Sequence, residues 1–525
     1  MNFNHISYDE FKHSQHINEF YSKQEIVQEL IGLPYNIENF QKQINLKQNS
    51  FDLNKRKILS EVLFENYKQV KLSARLQQNL SQLNKSNTFT ITTGHQLNLF
   101  AGPAYFFYKI LHVITMCNEL KINYPNCNFV PVFWMASEDH DIEEIRKVFV
   151  FGKELIWKTK QEGCVGNFDC KGLSELLDEF KEFYKNNPSS DIVETLNSYE
   201  GNTLSKATFN LLNYLFGDKG LIILDANNKN LKKLCKPLFL KEINEMFIQK
   251  NVNKTNEILK SNNIKNQAFV REINLFFIGQ NNKRERIKIK KNDFVIGDAI
   301  FTKNQLIEMI DSSPESFSPN VLFRPLYQEL ILPNLCYVGG GSELKYWMQL
   351  KNTFLSAKIP FPILSQRKTL FYLNKSIFSK IQSLKIPIVD LFKNQSEIFK
   401  QSLNLSKQQL NWNKTDNCFE GFLKEVYTNT DHFSKSDITS LNADLRKITK
   451  VKESIIKKVD KINNRRFDQI KTDINKIHSC FFPDGTYQER KLHFFHFCPD
   501  GNLELMDKLY SEFEPFNNSV LIVSE

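Results

Sequence analysis

Apolar residues recur at steps of three and four through the first 85 residues, which predicts an N-terminal helical segment. The runs EIVQELIGL and RKILSEVLFENYKQVKL carry this pattern, and Pro34 and the mostly polar run 41–50 are expected to separate the helices. From residue 86, TFTITTG predicts a strand, AYFFYKILHVITMCNEL a largely buried helix and NFVPVFWMA a second strand. This order predicts the βαβ unit of a parallel sheet.

Further buried strands are expected later in the chain. GLIILDANN predicts a strand that ends at an Asp, LCYV predicts another before three glycines, and PFPILSQRKTLFYL is expected to supply the last strand of the sheet. Alternating apolar and polar residues with turn signals between 268 and 300 predict a small antiparallel insertion. The predicted fold class is therefore α/β, with a split parallel sheet.

A different pattern covers residues 376–480, where basic residues outnumber acidic ones. Apolar residues recur there mostly at steps of three and four, which predicts a coiled coil or a long helical hairpin of roughly 60 Å. The apolar positions are Ile438, Leu441, Leu445, Ile448, Ile455, Val459, Ile462, Ile470, Ile474 and Ile477. Such a helix needs a partner for its apolar seam, either its own N-terminal half or a second subunit.

The predicted organisation has eight parts. They are an N-terminal helical segment (1–85), the first half of the core (86–155), a helical insertion (156–215), a continuation of the core (216–265), a small antiparallel insertion (266–316), the second half of the core (317–375), a helical coiled-coil domain (376–480) and a C-terminal segment that docks on the core (481–525).

Composition narrows the class of protein. Hydrophobic content of 41% with 45 Phe residues argues against disorder, and a net charge of +10 permits an anionic substrate without requiring nucleic acid. Nine cysteines without a C-x-x-C pair fit reduced thiols in a cytoplasm, and no zinc-ligand spacing is present. No signal peptide and no run of about 18 apolar residues is seen, so a cytoplasmic protein without a membrane span is expected.

Polar clusters follow the predicted strands at the edge where parallel sheets bind ligands. The first surrounds the turn after TFTITTG, where backbone N–H groups could hold an anion and an imidazole could donate a hydrogen bond or act as an acid. A turn glycine with a capping His explains the same residues without a ligand. The residues are Gly94, His95, Gln96, Asn98 and Lys109.

The second cluster is Glu138, Asp139, His140 and Asp141, directly after NFVPVFWMA. Crowded carboxylates are electrostatically costly, so a gain in function is expected from them. They could hold an amine or hydroxyls, position a metal or supply a general base. The alternative is a solvated loop in which Asp141 or Glu143 caps the following helix.

The third cluster lies between LCYV and the next helix, for which Ser342 is the expected N-cap. Its glycines would let the backbone approach a ligand, and an Arg beside them would bind a carboxylate or phosphate. A tight turn and a structural ion pair are the alternatives, and Cys336 is expected to be a core residue. The candidates are Arg324, Gln328, Glu329, Gly339, Gly340, Gly341, Ser342 and Glu343.

Taken together and in this order, these motifs resemble the BshC family of bacillithiol biosynthesis. The resemblance is carried by TTGHQLNLFAGPAYFFYK, VPVFWMASEDHDIEEI, FSPNVLFRPLYQELILPNLCYVGGGSELKYW and QERKLHFFHF. It implies a Rossmann-like core related to nucleotidyltransferases, two connecting insertions and a coiled-coil domain that forms a homodimer. Many members resemble this chain but carry Gln in place of His95, so hydrogen-bond donation is the role expected for this residue.

The implied reaction joins L-cysteine to glucosaminyl-malate through an amide. Arg324, Lys109 or a helix N-terminus would bind the malate, while Glu138, Asp139 and Asp141 would hold the sugar hydroxyls and the amine, one of them acting as base. Activation of the cysteine carboxylate would use ATP with magnesium. Two alternatives remain open: a nucleotidyltransferase acting on another small molecule, and a non-enzymatic coiled-coil scaffold or nucleic-acid binder.

Overall fold

The computed structural model describes residues 1–8, 10, 25–405 and 412–525. Parts of the predicted N-terminal segment (9 and 11–24) and of the predicted coiled-coil domain (406–411) lie outside the described residues. The chain forms two compact units. The core unit contains residues 2–372 and 488–523, and the helical unit contains residue 1, 373–487 and 524–525.

Fifteen strands are present in the described residues. They are β1 (Asn2–Ser7), β2 (Thr88–His95), β3 (Asn128–Met135), β4 (Lys147–Val150), β5 (Lys153–Ile156), β6 (Ile222–Asp225), β7 (Leu275–Ile278), β8 (Arg284–Lys290), β9 (Asp293–Ile296), β10 (Ala299–Phe301), β11 (Phe317–Pro319), β12 (Asn334–Gly339), β13 (Ile363–Gln366), β14 (Leu370–Leu373) and β15 (Ser519–Ser524).

The central sheet has the strand order β13-β12-β2-β3-β6, and all its strands are parallel. In chain order this is 5-4-1-2-3, the doubly wound Rossmann order, in which the direction of winding reverses between β2 and β12. The α/β fold class is therefore confirmed. The run expected to form one last strand instead divides into β13, in the central sheet, and β14, in a second sheet of order β1-β15-β14.

Threonines at 88, 90, 92 and 93 make β2 unusually polar for a buried strand, yet their side chains are enclosed. Thr92 Oγ1 donates to Asn334 Oδ1 at 2.8 Å, and Thr93 Oγ1 donates to the Val338 carbonyl at 2.7 Å. These bonds cross from β2 to β12 and give the buried hydroxyls the partners that they need away from water. They fix the two strands that flank the reversal of winding.

The predicted antiparallel insertion is present as β7 to β10, in the order β10-β9-β8-β7-β11. Its last partner, β11, pairs with β7 through Ser318 opposite Phe276. Asn274, immediately before β7, donates through N and Nδ2 to Glu242 Oε1, both at 2.9 Å. The insertion is thus joined to the core unit at its base.

Helices cover both faces of the central sheet. Those of the core unit are α1 (Glu25–Leu30), α2 (Asn39–Ser50), α3 (Leu53–Tyr67), α4 (Ala74–Gln82), α5 (Tyr105–Asn123), α6 (Ile142–Ile145), α7 (Leu173–Lys181), α8 (Asp191–Asn197), α9 (Leu204–Phe216), α10 (Lys229–Glu245), α11 (Phe247–Ser261), α12 (Lys303–Ser312), α13 (Arg324–Ile331), α14 (Gly341–Met348) and α15 (Lys351–Ala357). The helical unit holds α16 (Lys375–Ser383), α17 (Gln395–Leu405), α18 (Trp412–Thr428) and α19 (Lys435–Phe481); α20 (Gln488–Lys491) and α21 (Glu504–Glu512) return to the core unit.

Two helices have different bounds from those predicted: α2 continues through an expected break, and α14 begins before the expected N-cap. The polar run 41–50, expected as a break, lies within α2, whose buried face includes Phe40, Ile44 and Lys47. Helix α14 is capped at Gly340, so Ser342 lies inside it, not at its N-cap. Lys47, within the run expected as a break, forms a buried ion pair with Glu329, and Glu343 accepts from the Gly340 N–H at the start of α14 and pairs with Lys109.

Helix α19 spans 47 residues, about 70 Å at the rise of an α-helix. Its C-terminal part is covered inside the helical unit, where Ile470, Ile474 and Ile477 are buried and Asp473 pairs with Lys380 of α16 at 2.5 Å. Trp412 of α18 donates to Asp460 Oδ1 at 3.2 Å. Part of the apolar seam is therefore paired within the chain.

In the described part of the chain, no helix is both long enough and apolar enough to cross a membrane.

Candidate active site

A cavity of about 880 Å³ opens at the carboxyl edge of the central sheet in the core unit. It lies where the winding reverses, the position at which doubly wound sheets bind ligands. All three predicted clusters contribute to its wall, together with the antiparallel insertion. The predicted residues on the wall are Gly94, His95, Gln96, Glu138, Asp139, Arg324 and Glu343.

His95 is held as a neutral imidazole. Its Nδ1 lies 3.2 Å from the Gln96 carbonyl, which can only accept, so Nδ1 carries the proton and Nε2 accepts from the Tyr105 hydroxyl at 2.7 Å. Burial and the nearby Lys109 ammonium lower the pKa of His95 to about 4. With both ring nitrogens engaged, His95 shapes the turn; it has no free N–H to give as an acid.

Asp139 is fixed by donors on both carboxylate oxygens. Gln96 Nε2 donates to Oδ2 at 2.7 Å, and the backbone N–H of His140 donates to Oδ1 at 2.7 Å. This carboxylate therefore joins the turn after β2 to the loop after β3. Both of its oxygens thus accept from protein donors, which makes it a structural anchor of the wall.

Glu138 has a different arrangement. Its Oε1 pairs with the ammonium of Lys232, a fully buried residue of α10 that also donates to the Glu315 carbonyl at 2.9 Å. Its Oε2 accepts no hydrogen bond from the described residues, and the side chain lies on the cavity wall with 15% of its surface exposed. One oxygen is thus held by protein while the other faces the cavity.

Lys109 and Glu343 form an ion pair between the first and third clusters. Lys109 Nζ lies 2.7 Å from Glu343 Oε2 and donates to the Gly94 carbonyl at 3.0 Å, and Gly340 N donates to Glu343 Oε2 at 2.6 Å. Burial alone would raise the pKa of Glu343, but the Lys109 ammonium and the Gly340 N–H lower it overall. The ammonium of Lys109 therefore joins β2 to α14, and Lys109 does not line the cavity.

Arg324 presents its guanidinium to the cavity between two aromatic rings. Its Cζ lies 5.5 Å from the ring centres of both Trp134 and Tyr337, and Nη1 donates to Gln328 Oε1 at 2.8 Å. The Nη2 atom is buried and has no described acceptor in hydrogen-bond geometry, while the Tyr346 hydroxyl interacts with the guanidinium and helps to raise its pKa. A buried guanidinium N–H without an acceptor is costly, so an anionic ligand would supply the missing partner.

The remaining predicted residues lie off the wall. Asp141 accepts from Glu143 N at 3.1 Å, so it caps α6, as in the alternative interpretation of this loop. Asn98 donates to the Glu144 carbonyl at 3.1 Å, and His140 Nδ1 accepts from Arg284 Nη1 at 3.2 Å. These three side chains order the loops around the cavity.

Gln328 and Glu329 are enclosed in the core, which corrects their predicted place beside a ligand. Glu329 accepts from Lys47, Asn334 and Gln328 at 3.1, 2.7 and 3.0 Å. The Glu329 carboxylate therefore compensates the buried ammonium of Lys47 and holds Asn334 at the start of β12.

The triple glycine joins β12 directly to α14: Gly339 ends the strand, Gly340 is the N-cap and Gly341 begins the helix. A Cβ at Gly339 would lie 3.0 Å from the Tyr337 ring and 3.2 Å from Glu343 Oε2. The glycine thus leaves room for Glu343 to reach the Gly340 N–H. Gly339, Gly340, Gly341 and Ser342 are absent from the wall.

Several wall residues were not predicted as site residues from the sequence. They are chiefly aromatic or basic: Trp134, Tyr337, Arg271, Arg284, Arg286 and Lys288. One signal was available, because RERIKIK places Arg284, Arg286 and Lys288 at alternate positions of a strand and hence on one face. Lys232 had no such signal, since it lies 94 residues from Glu138.

No group of three or more His, Cys, Asp or Glu side chains among the described residues is arranged to hold a metal ion.

A doubly wound sheet with an aromatic, mixed-charge cavity at its reversal point defines a Rossmann-like protein that binds small polar molecules. Residues 1–368 match the family model described as Bacillithiol biosynthesis BshC, N-terminal Rossmann-like domain, and residues 370–525 match its C-terminal coiled-coil domain. The chain belongs to the BshC family.

Curated relatives agree over nearly the whole chain. A protein of Flavobacterium psychrophilum is 36% identical over 523 residues, covering 97% of each chain, and one of Flavobacterium johnsoniae is 35% identical over 495 residues, covering 93% of each. A protein of Cytophaga hutchinsonii is 33% identical over 88% of this chain and 87% of its own. All three are named "Putative cysteine ligase BshC".

Proposed function

We propose that this protein is a cysteine ligase that joins the carboxyl group of L-cysteine to the amine of glucosaminyl-malate, the last step of bacillithiol biosynthesis. Family membership and the names of the relatives supply the reaction class. The observation that carries the assignment of the site is the pairing, on one wall, of a carboxylate with a free oxygen and a guanidinium with a free N–H. Amide formation on a dicarboxylate substrate needs both.

Glu138 is the general base in this proposal. An amine must lose a proton as its nitrogen bonds to the cysteine carboxyl carbon, and Oε2 of Glu138 accepts that proton. Lys232 holds the other oxygen, which fixes the direction of Oε2. Asp139 keeps both oxygens on protein donors, so it orients the loop that carries Glu138.

Arg324 is the binding group for malate. A guanidinium donates two parallel N–H bonds to a carboxylate, and here the flanking rings of Trp134 and Tyr337 hold its plane. Lys109 cannot share this task as the sequence implied, because its ammonium is bound to Glu343 and Gly94. The amino sugar would extend from Arg324 along the wall towards Glu138.

A nucleoside triphosphate with Mg²⁺, most simply ATP, would supply the free energy and the leaving group for the cysteine carboxylate. The residues that fit its charge are the basic side chains of the insertion. We expect the reaction to take place in the cytoplasm, because none of the nine cysteines, all of which are described, is in a disulfide.

Replacing His95 with Gln is expected to leave the rate of product formation within about fivefold of the wild-type rate, because a neutral imidazole acts here only through hydrogen bonds. Bacillithiol would be measured by mass spectrometry in cells that lack the native gene and express each variant. Since the pKa of His95 is lowered to about 4, it stays neutral from pH 6 to 8 and should add no inflection to the pH–rate profile there. A fall of more than 100-fold in the rate of bacillithiol formation, at normal protein levels, would indicate that His95 acts as an acid.

The family's coiled coil and the exposed seam of α19 favour a homodimer. Ile448, Val451, Ile455 and Ile462 lie at steps of three, four and seven and are 44, 57, 53 and 64% exposed. They form one apolar stripe on the helix, and an equivalent stripe of a second copy would cover it. This is the part of the seam that α16 to α18 leave open within the chain.

The double substitution Ile455→Lys and Ile462→Lys is expected to convert a dimer into a monomer, since two charges on the stripe cannot be buried against a second copy. Light scattering coupled to size exclusion would measure the mass of the variant beside a Lys461→Ala control. Dimers that persist in the double variant, or a wild-type protein that is monomeric, would contradict the proposal.

A further inference from the structure

The turn that leads into α13 determines where the backbone of Arg324 lies. Asn320 Oδ1 accepts from the backbone N–H groups of Leu322 and Phe323, both at 3.0 Å. The Asn320 carbonyl accepts from Arg324 N at 2.8 Å. An asparagine whose side chain accepts from the backbone two residues further on forms an Asx turn. The turn that carries Arg324 into the helix is therefore built on Asn320.

Arg324 depends on this turn because Pro325 follows it. A proline disfavours helical backbone in the residue before it, yet Arg324 is the first residue of α13. The hydrogen bond from Arg324 N to the Asn320 carbonyl favours the helical position. We expect that, without this bond, Arg324 would no longer hold its guanidinium between the rings of Trp134 and Tyr337.

Asn320 is itself held by Asn274, the residue before β7. Asn320 Nδ2 donates to Asn274 Oδ1 at 2.9 Å, and Asn320 N donates to the Asn274 carbonyl at 3.1 Å. The bond from Nδ2 fixes the orientation of the Asn320 amide, so that Oδ1 faces the N–H groups of Leu322 and Phe323. Asn274 is fully buried, and a buried amide that lost its partner would be costly.

Glu242 of α10 anchors the far end of this series of hydrogen bonds. Its Oε1 accepts from N and Nδ2 of Asn274, both at 2.9 Å, and its Oε2 accepts from Ile248 N at 3.1 Å. The Glu242 side chain is fully buried, and these three N–H donors compensate its loss of water. Glu242, Asn274 and Asn320 thus form one continuous network, which we call the asparagine relay.

The asparagine relay connects two walls of the cavity. Asn320 and Arg324 line the cavity on the side of α13, and the chain neighbours of Asn274, Ile273 and Leu275, line it on the side of the insertion. The bonds between Asn274 and Asn320 join these two sides directly. The position of the insertion is therefore tied to that of the Arg324 guanidinium.

We propose that Glu242, Asn274 and Asn320 are positioning residues for the malate-binding site, and that they act through Arg324. This inference rests on the proposed function, because it takes Arg324 as the group that binds the malate carboxylate. The relay sets the backbone of Arg324, while Gln328 accepts from its Nη1 and holds the side chain. Two parallel N–H groups meet a carboxylate only when both backbone and side chain are in place.

The test measures the binding of glucosaminyl-malate to the full-length protein by ligand-observed nuclear magnetic resonance, which needs no turnover and reaches weak affinities. Asn320→Ala and Asn274→Ala are each expected to raise the dissociation constant about five- to tenfold. In the Arg324→Lys background, Asn320→Ala should raise it by less than about twofold, because the Lys ammonium has no plane to be oriented. A general loss of structure would weaken binding by the same factor in both backgrounds.

Asn304→Ala is the matched control, because Asn304 is exposed on α12 and absent from the wall. Thermal unfolding of each variant would be followed in parallel; if the buried Asn274→Ala change prevents folding, Asn320→Ala, at a partly exposed position, carries the test. Asn320→Ala within about twofold of wild-type affinity, or equal weakening in both backgrounds, would overturn the relay and leave Arg324 as the malate-binding residue. Wild-type protein that does not bind glucosaminyl-malate would instead remove the proposed function, and the relay with it.

Discussion

Replacing Glu138 with Gln is expected to lower product formation by roughly 100- to 10,000-fold, the range that a positioned general base contributes. The substitution keeps the size of the side chain and a hydrogen-bond acceptor for Lys232, but it removes the group that takes the proton from the attacking amine. Cells lacking the native gene would express the variant, and bacillithiol and its glucosaminyl-malate precursor would be quantified together. The precursor should accumulate.

Glu144→Gln is the matched control for this substitution. Glu144 is an exposed residue of α6, close in sequence and absent from the cavity wall, so the same chemical change should leave bacillithiol near the wild-type level. If Glu138→Gln supported normal bacillithiol at normal protein levels, Glu138 would not be the base. If only Asp139→Asn lowered bacillithiol, the role of base would pass to Asp139, although both of its oxygens already accept hydrogen bonds from protein.

Replacing Arg324 with Lys is expected to raise the KM for glucosaminyl-malate roughly 10- to 150-fold, which corresponds to about 1.5–3 kcal/mol for hydrogen bonds to a charged group. Lys keeps the charge but not the planar pair of N–H donors, and it cannot stack between Trp134 and Tyr337 as a guanidinium does. Steady-state rates at varied glucosaminyl-malate would measure the change, with the KM for cysteine expected to stay within about twofold.

Arg446→Lys serves as the control, because Arg446 is exposed on α19 in the helical unit. An unchanged KM for glucosaminyl-malate in Arg324→Lys would show that the malate carboxylates bind elsewhere. Equal increases in the KM for both substrates would point to a distorted cavity, which near-ultraviolet circular dichroism of the variant would report.

The position of the site could be predicted from the sequence because a parallel sheet gathers distant segments at one edge. The turn at His95 and the carboxylates after β3 each follow a strand, so a common edge requires only that β2 and β3 be parallel neighbours, as they are. Arg324 and Glu343 could be included because they flank β12, the fourth strand of the same sheet in chain order. Each of these residues follows or precedes the end of a buried strand, and the pattern of apolar residues shows clearly where such strands end.

The state of each side chain could not be predicted, because it depends on partners far away in the chain. The sequence placed Glu329 beside Arg324 as a ligand-binding residue, but its carboxylate accepts a hydrogen bond from Lys47, which lies 282 residues earlier in the chain. The sequence favoured Lys109 as an anion-binding residue, but its ammonium pairs with Glu343. Similarly, Lys232 holds one oxygen of Glu138 in a fixed position. The basic face of β8 had a readable alternation, but nothing in the sequence indicated that the insertion closes over the sheet edge.

The most direct measurement is a reaction with purified protein, L-cysteine, glucosaminyl-malate, ATP and Mg²⁺, followed by mass spectrometry for the amide product. Wild-type protein should form bacillithiol in an ATP-dependent manner, and the Glu138→Gln protein, folded and able to bind ATP, should form almost none. Folded wild-type protein that yields no bacillithiol with ATP or any other nucleoside triphosphate would contradict the assignment of this cavity as a cysteine ligase site.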